Sequence, residues 1–277
     1  RGSGLGTGIA AQRTRYPDEA RTPAVAAGPR RREPRPSEPG PGRVGGPVAA
    51  ATVGAMTPSP SSAGSGYVVA PDSGSGPGVL VLHAWWGLTD FFRGVCDRLA
   101  DEGFVALAPD LHGDGRTADT PDEAEALLAS TDTNRAANLV VSSLSALRRM
   151  PATPEGRVGV LGFSMGASWA LWAATRFPDD VAAASVFYGT QDIDFAPARA
   201  AFQGHFAEHD EFASDDEVNY LEAQLRLCGH PVDFHRYPGT GHWFVEADRP
   251  AAYVEHAADE AWAATVAFLH EHLDPAR

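Results

Sequence analysis

Short apolar runs alternate with longer segments of helical period along the chain from residue 67 to residue 273. Four of the runs are apolar almost throughout, as in strands that are covered on both faces of a sheet. Regular alternation of strands and helices predicts an α/β fold, with a mostly parallel sheet, helices on both faces, and one domain over residues 67–277. The predicted strands are 78–83, 104–108, 158–163, 182–188, 200–207 and 232–237, and the predicted helices are 89–101, 121–130, 133–150, 164–176, 216–228 and 250–273.

Residues 1–66 differ from the rest of the chain in composition. They are rich in Arg, Pro, Gly and Ala and have neither a helical nor a strand period. Such a segment cannot bury enough apolar surface to fold, so we expect a disordered extension over residues 1–66. Met56 opens a short polar segment that leads into the first strand-like run. We therefore expect the functional protein to begin near Met56, and the part before it to be a dispensable extension or a misread start.

Acidic side chains dominate the remainder of the chain. Residues 57–277 contain 13 Arg and 32 Asp or Glu, and the whole chain has a formal net charge of −14. This balance argues against nucleic acid or an anionic membrane as the main partner. No apolar run is long enough to span a bilayer, and the run over residues 48–56 is short for a signal peptide. We expect a cytoplasmic protein.

The two cysteines, Cys96 and Cys228, are too few for a disulfide framework and lack the spacing of metal ligands. Both lie in apolar helical patterns, which predicts two buried free thiols. The sequence indicates no metal site.

The segment over residues 158–167 reads Val-Gly-Val-Leu-Gly-Phe-Ser-Met-Gly-Ala. An apolar strand runs into Gly162, Ser164 and Gly166, and an Ala-rich helix follows at once, which is the strand–turn–helix context of a G-x-S-x-G nucleophile elbow. The turn is so sharp that a β-carbon at either glycine would collide with a neighbouring element. Ser164 is therefore the predicted nucleophile, exposed on a strained turn with a helix N-terminus behind it.

A serine hydroxyl needs a base beside it, and the base of such a fold comes last in the chain. His242 follows a predicted strand within Tyr-Pro-Gly-Thr-Gly-His-Trp-Phe at 237–244, where glycines let the backbone turn over the sheet's carboxyl edge. The orienting acid is expected on the loop after the preceding strand, which reads Glu-His-Asp-Glu-Phe at 208–212. Asp210 is the first candidate and Glu208 the second, because the strand register decides which carboxylate points inward.

Five segments together resemble the dienelactone hydrolase family, which has the α/β-hydrolase fold, and they occur in order over about residues 67–273. The resemblance implies an oxyanion hole made by the backbone N–H groups of Trp85 and Met165, and general chemistry agrees with one donor after the nucleophile and one from an early loop. The segments are Leu-His-Ala-Trp-Trp-Gly-Leu (82–88), Asp-Glu-Gly-Phe-Val-Ala-Leu-Ala-Pro-Asp-Leu (101–111), Gly-Phe-Ser-Met-Gly (162–166), Glu-His-Asp-Glu-Phe (208–212) and Gly-His-Trp-Phe (241–244).

Three positions depart from that family's founding enzymes. Ser164 stands where those enzymes have cysteine, and Ala84 stands where they have a glutamate that modulates the thiol; a serine does not need that partner. Val245 and Glu246 stand where the family has an arginine that binds the substrate carboxylate. An acidic side chain there would repel an anionic lactone, so a neutral ester, lactone or thioester fits better.

We expect a serine hydrolase that cleaves such a small molecule through an acyl-enzyme, without metal or organic cofactor. Two alternatives are a non-catalytic binding or regulatory protein of the same fold and an acyltransferase. Aromatic and histidine side chains near the expected site could line a substrate pocket, although an aromatic core cluster is equally compatible with them. The pocket candidates are His83, Trp86, Phe91 and Trp243.

Overall fold

The computed structural model describes residues 66–273. The predicted extension up to residue 65 and the expected start near Met56 lie outside these residues and stay predictions. Seven strands and six helices are present in the described part. They are β1 (Tyr67–Val69), β2 (Gly78–Leu82), α1 (Asp90–Asp101), β3 (Val105–Ala108), α2 (Pro121–Ser130), α3 (Thr133–Arg148), β4 (Val158–Phe163), α4 (Met165–Arg176), β5 (Val181–Phe187), β6 (Ala201–His209), α5 (Asp215–Leu227), β7 (Val232–Gly241) and α6 (Glu255–Leu273).

The strands form one twisted sheet in the order β1-β3-β2-β4-β5-β6-β7. Every neighbouring pair is parallel except β1 and β3. The direction in which the chain adds strands reverses between β2 and β4, because β3 lies on one side of β2 and β4 on the other. β2 and β4 are hydrogen-bonded neighbours with Leu82 opposite Gly162. Ligands of open α/β sheets bind at such a switch point, beyond the carboxyl ends of the strands.

Helices cover both faces of the sheet, as the sequence predicts. On one face, α1 and α6 are joined by the Arg98 guanidinium, which lies 4.1 Å from the centre of the Trp262 ring. On the other face α3 and α4 pack together, with α3 against β2 and β3 and α4 against β4 and β5. The four central strands are buried along their whole length because of this double cover.

Helix starts follow local capping chemistry. In α5 the Ser214 hydroxyl accepts the N–H of Glu217, whose carboxylate in turn accepts the N–H of Ser214. In α2 the same reciprocal bonds join Thr120 and Glu123, with Pro121 in the first turn. Each capping box satisfies two of the N–H groups that a helix start leaves free.

Several predicted boundaries were wrong. The strand β1 was missed because it has only three residues and pairs antiparallel at the edge of the sheet. Helix α6 begins at Glu255 rather than Pro250, because the backbone around Arg249 makes tight turns first. Cys96 is buried, whereas Cys228 is exposed because α5 ends at Leu227, one residue before it.

Among the helices within residues 66–273, none combines the length and the hydropathy that a bilayer-spanning segment needs.

Candidate active site

The nucleophile elbow joins β4 to α4 and holds Ser164 in a strained backbone conformation. Ser164 has φ 51° and ψ −114°, a region that residues with a β-carbon rarely adopt. A β-carbon on Gly162 would collide with the carbonyl oxygen of Gly166, and one on Gly166 with that of Leu82. A β-carbon on Gly189 would lie 2.6 Å from the carbonyl oxygen of Ser164. Glycine at these three positions therefore lets the elbow close against its neighbours.

One chain of hydrogen bonds joins the three residues proposed as a triad. Ser164 Oγ lies 2.8 Å from Nε2 of His242. Nδ1 of the same ring lies 2.8 Å and 2.7 Å from the two carboxylate oxygens of Asp210. Because a carboxylate only accepts, Nδ1 carries the hydrogen and Nε2 is free to accept the serine proton. The side chains of His242 and Asp210 are only 4% and 3% exposed, so water screens their contact little.

Asp210, and not Glu208, contacts the histidine. The register of β6 turns Glu208 outward, where its carboxylate accepts the N–H of Gly239 at 2.7 Å. His242 directly follows β7, which continues to Gly241 instead of ending at residue 237. The end of β7, which lies next to β6 in the sheet, thus positions His242. The glycine-rich stretch before His242 belongs to β7.

The two expected oxyanion donors lie on adjacent parts of the structure. Met165 is the first residue of α4, where backbone N–H groups have no partner within the helix. Trp85 lies in the loop after β2, and the close approach of Gly166 to the end of β2 brings that loop beside the elbow. The arrangement can stabilise an oxygen that becomes negative near Ser164 Oγ.

Two buried histidines hold the loop that carries Trp85. His83 Nδ1 lies 2.6 Å from the carbonyl oxygen of Ala84, and His83 Nε2 lies 2.9 Å from the N–H of Leu111. His112 Nε2 lies 3.0 Å from the carbonyl oxygen of Trp85. His83 is completely buried, so it lies beneath the site and does not line a pocket as expected. His112 was not among the sequence candidates, although the segment Asp-Leu-His-Gly-Asp-Gly after β3 has the composition of a tight loop.

Three aromatic rings pack together beside His242, and we call Trp85, Phe212 and Trp243 the aromatic wall. The Trp85 and Trp243 rings are stacked at 6.0 Å between centroids, and Phe212 lies 5.7 Å and 5.2 Å from them. Phe212 and Trp243 lie 4.8 Å and 4.9 Å from the ring of His242. Trp243 has φ 66°, a strained conformation directly after the histidine. Phe212 was not a sequence candidate, and its position two residues after Asp210 was the available signal.

Of the other two pocket candidates, Trp86 lies in the core and Phe91 packs against it. Trp86 is 2% exposed and its ring is covered by the Arg249 guanidinium at 3.9 Å. Phe91 is half-buried and packs on Phe92 and Phe163, with ring centres 5.1 Å and 6.2 Å away. The two adjacent tryptophans after β2 therefore lie in different places: Trp85 belongs to the aromatic wall and Trp86 to the core.

Glu246 is completely buried, four residues after the histidine. Its Oε1 accepts a hydrogen bond from the Tyr188 hydroxyl at 2.7 Å, and the Tyr188 ring lies 4.8 Å from the His242 ring. Burial raises the pKa of Glu246 to about 8, so the carboxyl is largely uncharged at neutral pH. The expected repulsion of an anionic substrate by Glu246 was therefore wrong in its cause, because a neutral, covered carboxyl repels little.

Arg249 is the first arginine after His242 in the chain, and its guanidinium is occupied by contacts within the protein. Its guanidinium donates to the carbonyl oxygens of Ala118 and Asp119 at 3.0 Å and 3.1 Å and covers Trp86. Neither Val245, Glu246 nor Arg249 thus offers a positive charge to a substrate. Across the described residues, His, Cys, Asp and Glu side chains form no group of three that could hold a metal ion.

The chain is similar to known proteins over the whole described region. The family model for the dienelactone hydrolase family matches residues 65–273. "Protein usf" of Aquifex pyrophilus is 36% identical over 217 residues, covering 75% of this chain and 93% of the relative. A protein of Aquifex aeolicus (strain VF5), provisionally named a carboxymethylenebutenolidase, is 34% identical over 217 residues, with the same two coverages of 75% and 93%. A crystal structure from Klebsiella pneumoniae subsp. pneumoniae MGH 78578, provisionally named a dienelactone hydrolase, superposes with a TM-score of 0.66 at 25% identity, covering 74% of this chain and 92% of that one.

Proposed function

The chain belongs to the dienelactone hydrolase family and is a hydrolase of esters or lactones, and on that premise we propose that it cleaves small neutral substrates through an acyl-enzyme on Ser164. The observation that carries the proposal is the hydrogen-bonded chain from Ser164 through His242 to Asp210. It supplies a nucleophile, a base of the right tautomer and an acid that stabilises the charged base.

The reaction starts when Ser164 Oγ attacks the carbonyl carbon of the ester or lactone. His242 Nε2 takes the hydroxyl proton, and the carboxylate of Asp210 stabilises the imidazolium that forms. The carbonyl oxygen becomes negative and accepts hydrogen bonds from the N–H groups of Trp85 and Met165. When the C–O bond of the substrate breaks, His242 gives the proton to the leaving alkoxide and the acyl group stays on Ser164.

Water completes the cycle. His242 is neutral again and removes a proton from a water molecule while the water oxygen attacks the acyl carbon. It returns that proton to Ser164 Oγ when the acid product leaves. The products are a carboxylic acid and an alcohol, which remain one molecule when the substrate is a lactone. Each step needs only groups of this chain and water.

A neutral substrate is favoured because the position of the family arginine holds a buried, largely protonated glutamate. An enzyme that binds a carboxylate substrate tightly needs a cation to replace the water around it. Glu246 is engaged with Tyr188, and Arg249 with the backbone of residues 118–119. None of these side chains therefore attracts an anionic substrate. The binding of a neutral ester does not depend on such an attraction.

The aromatic wall supports a flat or apolar group next to the reacting carbonyl. The rings of Phe212 and Trp243 lie against His242, Trp85 stacks on Trp243, and Phe212 is 38% exposed. Aromatic faces bind apolar and aromatic groups through burial and ring contacts worth about 1 kcal/mol for each pair. An aryl or short alkyl ester fits such a wall better than a sugar or a charged side chain does.

Pre-steady-state turnover of 4-nitrophenyl acetate tests the proposal. We expect a burst of nitrophenol of up to one equivalent per enzyme molecule, because an activated aryl acetate acylates the serine faster than water hydrolyses the acyl-enzyme. The Ser164→Ala variant should lack the burst and lose several powers of ten in kcat while its fold is intact. Near-wild-type turnover by that variant would contradict the assignment of Ser164. Product formed only when an alcohol is added would favour acyl transfer over hydrolysis.

A further inference from the structure

The histidines on either side of the Trp85 loop each carry a hydrogen that points at a peptide carbonyl. A carbonyl oxygen can only accept, so Nδ1 of His83 donates to the Ala84 oxygen, and Nε2 of His112 donates to the Trp85 oxygen. These two carbonyls belong to the peptide units immediately before and after the Trp85 α-carbon. The two histidines therefore clamp consecutive peptide groups of the oxyanion loop.

The backbone dictates which nitrogen of His83 carries the hydrogen. Nε2 accepts the N–H of Leu111 at 2.9 Å, so it has no hydrogen of its own and Nδ1 must carry it. Burial lowers the pKa of His83 to about 4, because a charged ring cannot be hydrated there. His83 is thus held in the one neutral tautomer that donates to Ala84.

That hydrogen bond acts directly on the proposed oxyanion donor. The Ala84 carbonyl and the Trp85 N–H are the two ends of the same planar peptide unit, so fixing the oxygen fixes the direction of the N–H. A bond accepted by the carbonyl also polarises the N–H and strengthens the bond that it can donate. Preorganised donors stabilise an oxyanion because they need no reorganisation when charge develops.

His112 contacts the next peptide group, between Trp85 and Trp86, and its other ring nitrogen contacts Thr131. Its Nδ1 lies 2.5 Å from the Thr131 hydroxyl at the C-terminal cap of α2, and the same hydroxyl lies 2.9 Å from the carbonyl oxygen of Leu127, so it shares its one hydrogen between these two acceptors. Burial lowers the pKa of His112, which keeps this ring neutral as well. The carboxylate of Asp110 accepts the N–H groups of His112 and Gly115 and so shapes the loop that carries the ring.

We propose that His83 and His112 are positioning residues that preorganise the Trp85 N–H as an oxyanion donor. The inference rests on the proposed function, since an oxyanion has to form at Ser164. It predicts an effect on the transition state and little effect on binding of the ground state.

The His112→Phe variant, which keeps the ring volume and removes the donor, tests the clamp. With 4-nitrophenyl acetate we expect kcat to fall about tenfold and KM to stay within about twofold, since a misaligned donor loses part of what a deleted one would. The inhibition constant of an aryl trifluoromethyl ketone, which forms an anionic tetrahedral adduct with an activated serine, should rise by the same factor as kcat falls. His112→Gln, whose amide still offers one donor and one acceptor, should recover most of the loss.

Two control variants separate loss of the clamp from a general effect of the substitution. His256→Phe makes the same change at an exposed position of α6 and should leave kcat, KM and the inhibition constant unchanged. Thr131→Val removes only the hydroxyl behind His112, so it should lower kcat by a smaller factor with KM unchanged. Thr131→Val decides the question if His112→Phe does not fold.

Ser164→Ala, assayed in parallel, distinguishes failure of the clamp from failure of the proposed function. Full turnover by Ser164→Ala would overturn the proposed function and the clamp with it. If Ser164→Ala is inactive but a folded His112→Phe keeps the wild-type kcat and inhibition constant, the clamp alone is overturned. A rise in KM without a fall in kcat would also overturn it, because that pattern reports ground-state binding.

Discussion

One carboxylate oxygen of Asp210 accepts a hydrogen bond from the backbone N–H of Phe212 at 2.8 Å. The same oxygen lies 2.8 Å from Nδ1 of His242, and it also accepts the N–H of Ala213 at 3.0 Å. Asp210 therefore sets the tautomer of His242. It also fixes the loop that places the Phe212 ring against the His242 ring. The orientation of the His242 ring and its shielding from water both depend on the Asp210 side chain.

Replacing Asp210 by Asn should lower kcat on small esters by roughly three to four powers of ten. The amide preserves size but can hold the imidazole in the wrong tautomer, and it no longer stabilises the charged ring. Steady-state ester hydrolysis measures the loss. Glu208→Gln, two residues earlier near the end of β6, is the matched control, because Glu208 contacts Gly239, and it should stay within about twofold of wild type. The reverse ranking of these two variants would show that Asp210 is not the acid.

Removing the Phe212 ring should weaken the aromatic wall selectively. In Phe212→Ala we expect kcat/KM for phenyl acetate to fall about five- to thirtyfold, because one to two ring contacts of about 1 kcal/mol are lost. Ethyl acetate, which lacks the ring, should be affected less. Tyr220→Ala removes another exposed aromatic side chain, on α5, and should change neither substrate's kcat/KM. Equal losses on both esters would argue against contact between the wall and the substrate.

Substrate charge offers a separate prediction. The kcat/KM for phenyl acetate should exceed that for 4-acetoxybenzoate, which adds only a carboxylate, because neither Glu246 nor Arg249 offers a positive charge to it. The Glu246→Gln variant should keep the same preference near pH 7, since the native carboxyl is largely neutral there. A preference for the anionic ester would contradict the proposed substrate class. A preference lost in Glu246→Gln would mean that Glu246 is charged and repels the anion.

Stability should depend on pH through Glu246. Its pKa is about 8 in the folded chain and near 4.5 when unfolded, so between these values only the unfolded chain releases the proton. Wild type therefore loses stability as pH rises through this window, by up to about 1.4 kcal/mol per pH unit. Glu246→Gln, which still accepts from Tyr188, lacks this loss and should gain on wild type steadily from pH 5 to pH 8. Urea unfolding at several pH values measures the difference, and a difference that does not vary with pH would refute it.

Much of the scaffold could be predicted because its signals are local. The apolar run Val158–Phe163, the glycines of the elbow and the Ala-rich helix after it lie within 20 residues, and each restricts the backbone by itself. The same holds for α2, whose capping residues mark its start. For this reason Ser164, Asp210 and His242 could be placed, in that order, after three of the strands, which are β4, β6 and β7.

What the sequence left open depends on contacts between distant segments. The roles of Phe212 and His112 come from packing across the sheet edge, and neither has a local pattern that distinguishes it from a core or loop residue. Burial of Glu246 could not be predicted either, because its partner Tyr188 is 58 residues away in the chain. Cys228 shows the limit of periodicity: it continues the buried stripe of Leu221 and Leu225, but the helix ends before it.

Labelling with a fluorophosphonate probe, followed by peptide mapping, tests the central claim that Ser164 is an activated nucleophile. We predict one probe adduct per chain, located at Ser164, in wild-type protein and none in Ser164→Ala or His242→Ala. Phosphonylation needs the deprotonated serine, so loss in His242→Ala reports the base and not only the attachment site. A folded wild-type protein that stays unlabelled, or that is labelled at another residue, would contradict the account and favour a binding role for the fold.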